Sequence, residues 1–186
     1  MALTKPFEWL SSALQKRAFI VIFALSVAIM YAWSVLNRPL MTEAAPNGIL
    51  SFEVAGNMSK AKSIVLSWGH EGQLYAAVNL GFDYLFLAAY GSAIALGCVL
   101  VLGVFSKWRW LTTLGLLLAW AQLVAALLDS VENFALIRIL LGADESWAPV
   151  LARWCSMPKA VLYGAGMVYA LIGAALFAVR KIFRKR

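Results

Sequence analysis

Residues 116–141 read LLLAWAQLVAALLDSVENFALIRILL, and this stretch decides the fold. A helix crosses a bilayer core with roughly 20 apolar residues, and this run exceeds that with three interruptions on one side. Asp129, Glu132 and Asn133 stand at i, i+3 and i+4, so a helix carries all three on one face. Carboxylates at membrane depth are costly and persist where they face a bundle interior, a partner or water. That face is the candidate working end of the protein.

The rest of the chain is of the same kind. It has 186 residues, 63% of them hydrophobic, and a mean hydropathy of +0.80. A soluble globule is nearer ~45–50% apolar. Four spans emerge: Ala18–Leu36, about Ala76–Phe105, about Trp110–Leu141 and about Met157–Val179. The second and third exceed a bilayer's need and must tilt, kink or project. Continuous apolar runs argue against a β-barrel, whose strands alternate. The expectation is an all-α membrane protein: one integral domain over residues 1–186, a four-helix transmembrane bundle with a helical outer loop over residues 37–75.

Orientation follows from the basic residues. Lys5, Lys16, Arg17, Lys107, Arg109, Arg180, Lys181, Arg184, Lys185 and Arg186 fall on one side of the predicted membrane; Arg38, Lys60, Lys62, Arg138, Arg153 and Lys159 do not. Of nine acids, only Glu8 joins the larger group. The positive-inside rule then places both termini in the cytoplasm. The formal charge of +7 is this asymmetry plus attraction to anionic lipid, and no nucleic-acid partner is expected.

The first span is too long for a signal-peptide core and lacks a cleavage site, so it is read as retained. Before it, Pro6, Phe7, Trp9, Leu10, Ala13 and Leu14, followed by Lys16 and Arg17, predict a short interfacial helix. Within the outer loop, Ala61, Ile64, Val65 and Trp68 predict a helix over Ser59–Trp68 that stops at Gly69. It is either an interfacial anchor or a lid over the acidic face. Cys98 and Cys155 lie at opposite ends of their spans and are not expected to pair. Small residues at contact spacing (Ala89, Ala93 and Gly97; Gly115 and Ala119; Gly166, Ala170, Ala174 and Ala178) predict close helix packing.

Counting helix rise from the cytoplasmic interface puts Asp129, Asp83 and Lys159 roughly 28, 33 and 31 Å along their helices. Three spans thus carry ionisable groups to one level, near the outer edge of the core. Asn79, Tyr84, Glu132, Asn133 and Tyr163 fall around them, with Gln122 and Tyr90 about two turns deeper. A plainer reading is that these acids mark the end of the lipid-embedded segment. Against full exposure, apolar sequence resumes from Phe134 to Leu141. Lys159 also follows Pro158, a plausible helix start where the macrodipole disfavours a cation. A neighbouring carboxylate would offset both difficulties.

Other motifs carry little. His70 is alone in a predicted turn, and no metal-ligand set, haem site, phosphate loop or nucleophile elbow is present. No cofactor or metal is expected. Asn57-Met58-Ser59 matches a glycosylation sequon, a pattern short enough to arise by chance. Trp9, Trp33, Trp108, Trp110 and Trp147 lie near span ends, as interface anchors do.

Phe52-Glu53-Val54-Ala55, then Gly81-Phe82-Asp83-Tyr84-Leu85-Phe86, then Asp129-Ser130-Val131-Glu132-Asn133, with Lys159 beyond, resemble an uncharacterised group of small bacterial four-span membrane proteins. The resemblance covers most of Ile49–Tyr163. It implies a bacterial inner-membrane location and adds Glu53 to the acids of interest, without supplying an activity. The ligand-binding candidates are therefore Asp83, Asp129, Glu132, Asn133, Lys159, Tyr84, Tyr163 and Glu53. Three functions stay open: a polar pocket for a membrane lipid or other amphiphile, an accessory subunit bound to a membrane-protein partner, and an enzyme using one carboxylate as acid or base.

Overall fold

The computed structural model describes residues 4–183. Among these residues five α-helices follow in order: α1 (Ser12–Asn37), α2 (Ile49–Glu53), α3 (Met58–Val101), α4 (Arg109–Leu140) and α5 (Trp147–Phe183). All but α2 are long and apolar enough to cross a membrane. The chain is a multi-pass, all-α membrane protein built as a four-helix bundle. α3 packs against α1, α4 and α5, and α4 packs against α5. The start of α1, the α3–α4 connection and the end of α5 share the terminal end of the bundle. Residues 41–57 and the α4–α5 connection make up the loop end. Arg184, Lys185 and Arg186, counted in the charge asymmetry, lie outside the described residues.

The helix boundaries correct the sequence reading in several places. Among the described residues, no separate interfacial helix precedes α1. Residues 5–10 form tight turns in which Phe7 takes φ 60°, and Gln15 Nε2 donates to the carbonyls of Phe7 and Leu10. Ser11 caps α1, its hydroxyl accepting from the Leu14 N–H, so Ala13, Leu14, Lys16 and Arg17 belong to the span.

The predicted Ser59–Trp68 helix and the second span are parts of α3, broken at Gly69 with φ 60° and ψ −174°. Only glycine occupies that region readily. Beside the break, Gln73 Nε2 donates to the Val65 carbonyl at 3.0 Å. The helix stops where the sequence places its stop, then restarts at once.

The fourth span starts ten residues earlier than expected. Pro149 sits in the first turn of α5, where its missing N–H is harmless, while Pro158 lies inside the helix. Lys159 is therefore three turns from the helix start, and the macrodipole argument for a partner does not apply. Buried Ala148, Ala152 and Cys155 explain the extension, since they give the added turns an apolar face to pack.

Helices approach closely at glycines. An added Cβ at Gly115 would run into the Tyr169 ring, and one at Gly173 would come within 2.5 Å of the Val101 side chain. On α5 the contact seam runs through Gly166, Tyr169 and Gly173. Ala174 and Ala178, predicted to belong to it, are exposed.

At the loop end, Leu40, Ile49, Phe52, Ala61, Ile64 and Trp68 form one core with Leu136, Ile139, Ala148 and Ala152. Phe52 stands edge-on to Trp68, and Trp68 Nε1 donates to the Leu40 carbonyl at 2.7 Å. The apolar face of the first part of α3 thus covers the bundle rather than headgroups. Each such side chain taken fully out of water contributes about 1.5–3 kcal/mol. Asn57, the sequon residue, caps α3 by accepting from the Lys60 N–H.

Candidate functional site

Lys159 is the centre of the site. Its Nζ lies 2.6 Å from Asp129 Oδ1, 2.8 Å from Glu132 Oε2 and 3.9 Å from Glu53 Oε2. Asp129 and Glu132 come from one face of α4, as their spacing requires. Glu53 ends α2, and its position is set from a distance. Asn37 at the end of α1 accepts from the Ile49 N–H at 2.8 Å and donates to the Asn47 carbonyl. Gly48, at φ 60°, leaves the room that the Asn37 amide occupies. The turn into α2 is thereby tied to α1, and Glu53 is held over the bundle.

The cluster is buried. Glu132 is 0% exposed, Asp129 2%, Glu53 8% and Lys159 9%. Asp129 is fully satisfied: beyond the ammonium, its Oδ2 accepts from Tyr90 Oη at 3.1 Å and Tyr163 Oη at 3.4 Å. The two tyrosine rings meet at 4.0 Å. Glu132 is not satisfied. Its Oε2 has the ion-pair contact off the hydrogen-bonding direction, and its Oε1 has no hydrogen-bond partner. Asp83 Oδ2 accepts from Asn133 Nδ2 at 2.7 Å and is only half-buried.

Burial pushes the Glu53 carboxyl above the ordinary carboxylate range; Lys159 and a contact with Glu132 pull it back without cancelling the rise. An ion pair at 3.9 Å does not outweigh removal from water. Lys159 fills the point on which three carboxylates converge, and among the described residues no side-chain group is arranged to hold a metal ion.

Seven of the eight candidate residues from the sequence gather here: Glu53, Asp83, Asp129, Glu132, Asn133, Lys159 and Tyr163. Tyr84 stands apart, exposed, with its hydroxyl donating to the Ser130 carbonyl. Tyr90 is placed too deep by counting rise alone. A helical side chain leans toward its own N-terminus, so the Tyr90 hydroxyl reaches back to Asp129. Gln122 remains deeper, donating to the carbonyls of Leu118 and Leu162. Asn79 is buried and donates to the Trp33 carbonyl, its own oxygen unpartnered. Comparison with protein-family models, curated proteins and solved structures returns no match, so the site is read from its own residues.

Proposed function

We propose that this chain is a small protein of the bacterial inner membrane, with both termini cytoplasmic, whose acidic site near the outer-leaflet level binds a lipid or other amphiphile through a cationic headgroup. Charge balance supports the ligand's sign. Four carboxyl groups, Glu53, Asp83, Asp129 and Glu132, gather round a single ammonium, which donates its hydrogen bond to Asp129. The observation that carries the reading is Glu132, completely buried yet with a carboxylate oxygen that nothing donates to. A buried acceptor without a donor costs about 1–3 kcal/mol, more when charged, and a headgroup ammonium would supply both donor and charge. Half-buried Asp83, between lipid-exposed Phe82, Tyr84 and Leu85, marks the approach from the membrane.

Native mass spectrometry of the protein extracted with its own lipid tests this. An amine-bearing amphiphile should be enriched over bulk lipid, and Glu132→Gln and Asp83→Asn should each deplete it while the fold is kept. Bulk lipid alone on the wild type would remove the reading.

A second reading has its own support. The satisfied set Lys159–Asp129–Tyr90–Tyr163 fastens α3, α4 and α5, which is what an accessory subunit needs to present a fixed surface to a membrane-protein partner. Stable co-purification with a larger complex would favour it.

A further inference from the structure

A second site lies outside the acidic cluster. A cleft of about 360 Å³ opens at the loop end between the α2–α3 connection and α5, lined by Gly56, Val150, Arg153, Trp154 and Met157. We infer that this cleft takes the phosphate of a membrane phospholipid headgroup, held by the Arg153 guanidinium.

Like Arg38 and Lys60, Arg153 has no carboxylate within ion-pair distance among the described residues, whereas Lys62, Arg138 and Lys159 at the same end are paired with Asp144, Glu145 and the acidic cluster. Its side chain is nonetheless placed. Gly56 has φ 75°, and an added Cβ there would come within 2.8 Å of Arg153 Nη1 and 2.9 Å of its Cδ. The glycine lets the exposed arginine lie against bare backbone, with its guanidinium at the cleft. A planar fork of N–H donors matches two phosphate oxygens, and Arg is favoured over Lys where that geometry matters.

Depth points to a lipid as the source of the phosphate. Arg153 precedes Arg180 by 27 residues of continuous α5, about 40 Å of rise. That lies beyond a hydrocarbon core about 30 Å thick and within the headgroup layer. The cleft's wall is apolar and open: Trp154 is 72% exposed and Met157 51%, and Val161 continues the strip one turn further into the membrane. A tryptophan beside a phosphate-level cation is the usual interfacial arrangement. The inference is independent of what the acidic cluster binds, because Lys159 sits about 120° around the helix from Arg153 and faces α4.

The test uses the full-length protein in detergent. Native mass spectrometry is run with added phosphatidylglycerol, with a diacylglycerol of the same chains, and with inorganic phosphate as competitor. The wild type should retain phosphatidylglycerol and not diacylglycerol, and Arg153→Gln should lower the retained fraction about tenfold, as expected for one lost charged hydrogen-bonding group. Equal retention by wild type and variant overturns the proposal. Displacement of the lipid by inorganic phosphate also overturns it, assigning the cleft to a soluble phosphate instead.

A second measurement does not depend on the Arg153 variant. The fluorescence difference between wild type and Trp154→Phe isolates Trp154, which phosphatidylglycerol with brominated chains should quench saturably. No quenching, or equal quenching by the brominated diacylglycerol, refutes phosphate recognition at this cleft.

Discussion

Replacing Lys159 with methionine keeps most of the length and volume of the side chain and removes its charge. The ammonium it deletes stands 2.6 Å from Asp129 and 2.8 Å from Glu132, with side-chain exposures of 11%, 2% and 0%. Removing one partner of a buried ion pair costs about 3–5 kcal/mol, because the other charge stays behind. For a chain of this length that corresponds to a fall in melting temperature of about 6–20 °C.

The structure also ranks the rescues. Asp129 retains the hydroxyls of Tyr90 and Tyr163 when the lysine is gone, whereas Glu132 retains only its contact with Glu53. Lys159→Met with Glu132→Gln should therefore recover more stability than Lys159→Met with Asp129→Asn. Glu53→Gln, relieving the 3.9 Å contact, should recover least. Thermal denaturation in one detergent, followed by loss of monodisperse protein, reads all four variants. If Lys159→Met melts within about 2 °C of wild type, or if every double variant simply adds its losses, Lys159 is not the charge that holds this cluster.

The pH response of the α2 cap should follow from Glu53. Burial raises its carboxyl, so the docked cap binds the proton more tightly than the undocked one. Its docking is fully favoured below the ordinary carboxylate range and weakens as pH rises through the raised value, by at most about 1.4 kcal/mol per pH unit. Hydrogen exchange of residues 49–53 should show protection declining from acid to neutral pH in wild type and flat in Glu53→Gln; parallel slopes would refute it. Gly69→Ala meets no atom within 4 Å, yet it should destabilise by about 1–3 kcal/mol, because φ 60° with ψ −174° suits only glycine. An unchanged melting curve would show that the kink is not required. Reporters fused after Arg186 and within Ser106–Arg109 should report a cytoplasmic location, and one inserted at Asn47 should report the outside; a periplasmic C-terminal fusion would invert the assigned leaflet.

Much of this molecule can be read from one strand of text because membrane helices leave few choices. Apolar runs of bilayer length must be helical to satisfy their backbone. The spacing of Asp129, Glu132 and Asn133 fixes a shared face, and counting rise brings Asp83 and Lys159 to the same depth. Errors arise where local rules compete. Pro158 and Gly69 are both helix breakers, but Pro158 is overridden by the packing of Ala148, Ala152 and Cys155, whereas Gly69 breaks the helix, which restarts at once. No local rule decides between them, since the outcome depends on what lies across the bundle.

The site follows the same division. Carboxylates in an apolar run announce themselves, and so Asp129 is found at once. Whether a given acid is satisfied depends on side chains from other helices: two tyrosines serve Asp129, and none serves Glu132. Arg153 shows the converse. In the sequence it is one cation among six on the less basic side. It becomes a candidate phosphate ligand only when Gly56, nearly a hundred residues earlier, is seen to carry its stem and no acid is found beside it. Depth is legible because it is one-dimensional, while satisfaction is a property of the packed bundle. The unpartnered oxygen of Glu132 is therefore the feature on which a functional reading of this protein has to rest.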